Sequence, residues 1–131
     1  MKLNHSNSFT VIGIMSGTSI DGVDLALIKT NGTDYVKNIL GITYEYNINY
    51  RNKIRNIIKK IKDNNSLSLS KIDLLVSRQF LRMVKKFINE FNIDTSTIDY
   101  VALSGQTVLH KPDKRISIQL GSGKFLSKYL K

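Results

Sequence analysis

Apolar and polar positions change their period several times along this chain, and the changes mark out its elements. Phe9 to Met15 and Val23 to Ile28 are short apolar runs separated by a Gly/Ser/Thr/Asp-rich connection from Ser16 to Gly22, the pattern of two strands joined by a tight polar loop. Asn31-Gly32 marks a turn, because both residues tolerate positive φ. Tyr35 to Tyr46, rich in Ile, Thr and Tyr, reads as a third strand and completes a meander. From Arg51 the spacing lengthens: Ile54, Ile57, Ile58 and Ile61 recur every three or four residues, which predicts an amphipathic helix ending near Asp63-Asn64-Asn65. A second helix is expected from Ser70, with Asp73 completing a capping box and Ile72, Val76, Phe80, Val84, Phe87 and Phe91 as its inner face. Asp99 to Leu103 reads as a short strand running into a polar loop, Ser104-Gly105-Gln106-Thr107. Val108 to His110 and Arg115 to Leu120 then form a hairpin around Pro112-Asp113, before a final helical piece. This order predicts an α/β fold, a mixed sheet with an N-terminal β-meander and helices packed on it.

Composition narrows the picture. Hydrophobic residues make up 41% and charged residues 23% of the 131, ordinary for one folded domain and unlike a disordered chain. The absence of cysteine excludes disulfide scaffolds, cysteine-based zinc sites and thiol catalysis. Met1 to Ser8 has no long apolar stretch, so neither a signal peptide nor a membrane anchor is expected, and the default location is the cytoplasm. A formal charge of +10 creates an attractive field for phosphates, nucleotides or nucleic acid. Much of it lies at Arg51, Lys53, Arg55, Lys59, Lys60 and Lys62, and at Arg78, Arg82, Lys85 and Lys86, interleaved with aliphatic residues as on solvated helix faces. No nucleic-acid motif and no aromatic interleaving accompanies the charge, which speaks against a nucleic-acid partner.

The candidate chemistry is concentrated in Gly13 to Asp24. Gly17 and Gly22 allow a close backbone approach and a sharp turn, and consecutive N–H groups in such a loop form an anion-binding nest. Ser16, Thr18 and Ser19 offer hydroxyl donors to phosphate oxygens, and Asp21 or Asp24 could hold Mg²⁺ directly or through water. On composition alone the same cluster also describes a plain hairpin loop.

The string Met15-Ser-Gly-Thr-Ser-Ile-Asp-Gly-Val-Asp24 closely resembles the signature of the anhydro-N-acetylmuramic acid kinases, where such a run joins the first two strands. Two later segments match in the right order. Ser104-Gly-Gln-Thr-Val-Leu-His-Lys-Pro112 resembles the family's His-Gly-Gln-Thr-x-x-His-x-Pro, and Ile118-Gln-Leu-Gly121 resembles its Leu-Gln-Ile-Gly-Asp. The chain departs from the pattern at Ser104, where the family has histidine, and at Ser122, where it has aspartate.

The resemblance implies the first lobe of a ribonuclease H-like, actin-like ATPase fold. It further implies that Gly17, Thr18, Ser19, Ile20, Asp21, Gly22, Val23 and Asp24 bind ATP, that Asp21 and Asp24 serve Mg²⁺, and that Gln106 and Thr107 touch an amino sugar. The implied reaction opens 1,6-anhydro-N-acetylmuramic acid with water and phosphorylates it from ATP, in the recycling of cell-wall sugars. The family's general-base aspartate, in a Gly-Asp-Phe-Arg segment, falls outside these 131 residues. The chain is therefore expected to be one partial domain, the N-terminal lobe of a truncated or split two-lobed kinase, needing a separately encoded C-terminal lobe or self-association. The other expectation is a non-catalytic remnant or binding module that keeps the fold, with uncovered apolar surface that pairs or aggregates.

Overall fold

The computed structural model describes residues 7–63 and 68–130. Strands β1 (Phe9–Ser16), β2 (Gly22–Thr30) and β3 (Val36–Glu45) form the antiparallel meander. Helices α1 (Ile48–Lys62) and α2 (Leu69–Glu90) follow. The chain then returns along β4 (Tyr100–Lys111), parallel to β1, and turns into antiparallel β5 (Ile116–Leu120) and the short helix α3 (Gly123–Tyr129). The sheet order is β3-β2-β1-β4-β5.

One face of the sheet carries the core. Ile12 and Ile14 of β1 stand opposite Leu27 and Leu25 of β2, and together with Val23 and Tyr44 they pack against Ile54 of α1, Ile72, Val76, Phe80, Val84 and Phe87 of α2, and Leu126 of α3. The opposite face carries Gly13, Ala26, Gly41 and Ala102 side by side across four strands, flanked by Met15 and Ile39, both exposed. Among the described residues, none of the three helices covers it.

Three local expectations change. Helix α1 begins at Ile48, three residues before Arg51, because the Asn47 side chain caps it by accepting from the Tyr50 N–H at 2.9 Å. Its C-terminal end is at Lys62; Asn64 and Asn65 lie outside the described residues. The Ser70–Asp73 capping box does not form. The helix starts at Leu69, so Ser70 sits inside its first turn, and Asp73 Oδ1 instead accepts the Gly121 N–H at 2.8 Å, a long-range bond between α2 and the β5–α3 connection. The tetrapeptide Ser104–Thr107 is not a loop but the middle of β4.

That last change has a geometric cause. Ile14 pairs with Leu103 and Ser16 with Gln106, so β4 carries one extra residue here. Gly105 absorbs it at φ 81°, a left-handed conformation that glycine adopts without a Cβ penalty. Val101 and Leu103 point to the core before this bulge, and Gln106 and Val108 after it. Without the extra residue, Gln106 would face the open side of the sheet.

Candidate functional site

The β1–β2 loop is anchored at both ends and exposed at its tip. Gly17, Thr18 and Ser19 are exposed, and the Thr18 and Ser19 hydroxyls make no hydrogen bond to another described residue. Ile20 then plunges into the core, 3% exposed, at φ 58°. A β-branched residue in the left-handed region is a true outlier, with a cost of about 1–3 kcal/mol that its surroundings must offset. Here burial holds it, together with the Ile20 N–H to Gly17 carbonyl turn bond at 3.3 Å. At Gly22 the backbone passes so near β3 that a Cβ would overlap the Tyr44 carbonyl oxygen. Next to it, the Tyr46 N–H donates to the Asp21 carbonyl at 2.9 Å.

The loop's two carboxylates separate. Asp21 meets the α1 guanidiniums, with Arg51 at 2.6 Å and Arg55 at 3.8 Å, and Arg55 also donates to the Ser19 carbonyl at 3.3 Å. Asp24 belongs to the other alternation of β2, on the open face, where it accepts from the Thr43 hydroxyl at 2.5 Å. Among the described residues no three His, Asp or Glu side chains gather as a metal cluster. Val23 is wholly buried in the core beneath the loop.

Gln106 arrives under the loop from β4. It is fully buried: its Oε1 accepts from Ser16 Oγ at 2.6 Å, and its Nε2 donates to the Gly17 carbonyl at 3.0 Å. Ser16 also accepts from the Tyr46 hydroxyl at 3.1 Å and lies 2.9 Å from the Gly22 carbonyl. Burial pushes the Tyr46 phenol up to about 12, against a smaller downward pull from its Ser16 bond, so it is a hydrogen-bond donor at neutral pH. Thr107, next along β4, is half-buried and accepts from Gln119 Nε2 at 3.3 Å.

The β1–β2 loop and the β4–β5 segment, distant in sequence, thus meet at one end of the sheet, as the two motif matches require if both belong to one site. The family model for anhydro-N-acetylmuramic acid kinase matches residues 9–129. The chain belongs to the anhydro-N-acetylmuramic acid kinase family. A relative of that name from Rhizobium etli is 32% identical over 91% of this chain and 34% of its own length. One from Pelagibacter ubique is 34% identical over 94% of this chain and 33% of its own length. The chain spans about a third of the length of the curated relatives it matches. For the anhydro-N-acetylmuramic acid kinase family, this five-stranded mixed sheet with three helices corresponds to the N-terminal lobe of an actin-like ATPase fold.

Against that family's pattern, the Ser122 departure has a clear structural role. Ser122 is the N-cap of α3, its Oγ accepting from the Phe125 N–H at 3.1 Å while its own N–H donates to Ser77 Oγ at 2.8 Å. Serine and aspartate are comparable caps. Ser104 lies on the open face with a long 3.4 Å bond to the Ile14 carbonyl.

Sequence reasoning missed Tyr46 as a partner of the loop, and it read Arg51 and Arg55 only as part of a charged helix face. Their four-residue spacing on α1 was the available signal, since it puts both on one side of the helix. No helix among the described residues is long and apolar enough to cross a membrane.

Proposed function

We propose that this chain is the phosphate-gripping part of a sugar kinase that uses ATP and Mg²⁺ to phosphorylate an anhydro amino sugar, acting in the cytoplasm on recycled cell-wall material. The observation that carries this reading is the Gly17–Ser19 tip: two hydroxyls with no hydrogen-bond partner among the described residues and a glycine, held between fixed ends, in a chain of this family. Exposed donors on a preorganised backbone suit phosphate oxygens, since such donors need no reordering when the ligand arrives.

The residues present fit the nucleotide. Gly17, Thr18 and Ser19 would receive phosphate oxygens, and Arg55, about half exposed beside Ser19, supports the negative charge. For the metal, Asp24 fits better than Asp21. Mg²⁺ takes one or two carboxylates and keeps its waters, and Asp24 stands on the open face, whereas Asp21 is already committed to Arg51. When bound, ATP supplies the phosphoryl group and Mg²⁺ offsets the charge that develops on it. Thr107 is the more accessible of the proposed pair of sugar contacts, because Gln106 is spent within the protein. The open face of the sheet, with its small residues and exposed Met15 and Ile39, supports a second lobe or partner chain packing there.

Titration of the chain with Mg-ATP, followed by amide NMR, tests this. The expected shifts centre on Gly17, Thr18 and Ser19, and the double substitution Thr18→Ala with Ser19→Ala should weaken binding about tenfold or more. Shifts that leave the loop unmoved at saturating nucleotide would count against the reading.

A further inference from the structure

A single buried amide and two hydroxyls touch both ends of the β1–β2 loop. Gln106 Nε2 holds the Gly17 carbonyl where the loop leaves β1, and Ser16 Oγ reaches the Gly22 carbonyl where it enters β2. Gln106 Oε1 and the Tyr46 hydroxyl both bond to Ser16 Oγ, so β1, β4 and the end of β3 converge on one oxygen. Gln106 is 0% exposed, and the Gly105 bulge is what turns it inward.

We propose that Gln106, Ser16 and Tyr46 form a clamp that fixes the backbone of Gly17–Ser19 for phosphate, which makes Gln106 a positioning residue rather than a sugar ligand. The clamp rests on the phosphate-loop reading above. Gln106 Nε2 holds the Gly17 carbonyl, while Ser16 Oγ accepts from Tyr46 and gives its one proton to either Gln106 Oε1 or the Gly22 carbonyl; a buried network of this kind is stiff because each unmade bond leaves a desolvated polar atom. Order in the loop then depends on a residue from β4, so the two motif segments are mechanically one unit. Anything that displaces β4 at the bulge displaces the phosphate donors.

The test uses the whole chain and three variants: Gln106→Leu, which removes the amide at similar volume, Tyr46→Phe, which removes only one hydroxyl, and Ser77→Ala as a control away from the loop. Two measurements are made on folded protein, well below its melting temperature. Amide order parameters for Thr18 and Ser19 should fall from the rigid range near about 0.85 to below about 0.6 in Gln106→Leu, with Leu25 and Ile12 unchanged. Affinity for Mg-tripolyphosphate should drop about tenfold in the same variant and less in Tyr46→Phe, while Ser77→Ala lowers the melting temperature without moving affinity. A residue that only filled the core would shift melting alone.

Wild-type loop order and wild-type affinity in folded Gln106→Leu overturn the clamp. Should that variant fail to fold, Tyr46→Phe decides: unchanged order at Thr18 and Ser19 refutes the proposal. Failure of the wild-type chain to bind tripolyphosphate would instead remove the phosphate reading, and the order parameters would then decide the clamp alone.

Discussion

Gly22 and Ile20 show how a few residues set the candidate site. Gly22 has no room for a Cβ against the Tyr44 carbonyl, so Gly22→Ala must push β2 from β3, and a loss of about 1–3 kcal/mol is expected in denaturant unfolding. Ile20 is opposed by two terms, since its left-handed backbone costs about 1–3 kcal/mol while burying its side chain contributes about 1.5–3 kcal/mol. Ile20→Gly relieves the strain but leaves a cavity in the core and a more flexible unfolded chain, so a net loss of about 1–3 kcal/mol is expected, together with a looser loop visible as faster amide exchange at Ile20. At Ser122 the cap hydrogen bond is the one role of the side chain among the described residues. Ser122→Asp should therefore be nearly neutral and Ser122→Ala should cost about 1 kcal/mol, measured by thermal melting.

Among the elements, β4 differs most from its sequence reading. Ser104-Gly-Gln-Thr107 has the composition of a loop, yet it runs as strand because the core-facing positions resume after a one-residue bulge. Gly105→Ala meets both a φ of 81° and the Leu120 carbonyl oxygen 3.0 Å from the new Cβ. A loss of about 1–3 kcal/mol is expected, and the misdirected Gln106 should disorder Thr18 and Ser19 as Gln106→Leu does. Helix α2 was legible through its apolar stripe from Ile72 to Phe87, but Phe91 follows the last helical residue and is exposed rather than on the inner face, and the cap was not legible either. Asp73 has the right spacing from Ser70 for a capping box, and only the proximity of Gly121 diverts it.

For the whole molecule, alkaline pH is the condition that reaches the clamp. Tyr46 is pushed up to about 12 and Tyr50, whose ring is tilted against it with centroids 4.7 Å apart, is raised further, in both cases chiefly by burial. A folded-state value above the ordinary 10 means that these phenols contribute their full stability below pH 10 and lose it as pH rises through about 12. The melting temperature should stay level up to about pH 10 as far as these groups are concerned and then fall, with Tyr46→Phe reducing the drop. Sequence by itself determined most of the elements and the family, because hydrophobic period and the Met15–Asp24 string are local properties that need no partner to be read, whereas the continuity of β4 through Ser104–Thr107 was not among them. It also placed Thr18 and Ser19 in a polar turn between strands. Only the tertiary structure decided that Gln106 lies beneath that turn, that Asp21 is committed to Arg51 and that Asp24 faces the other side of the sheet. Each of these depends on strand register, a bulge and helix placement. One residue of slip reverses which face a side chain takes, and a side chain's partner can lie ninety positions away.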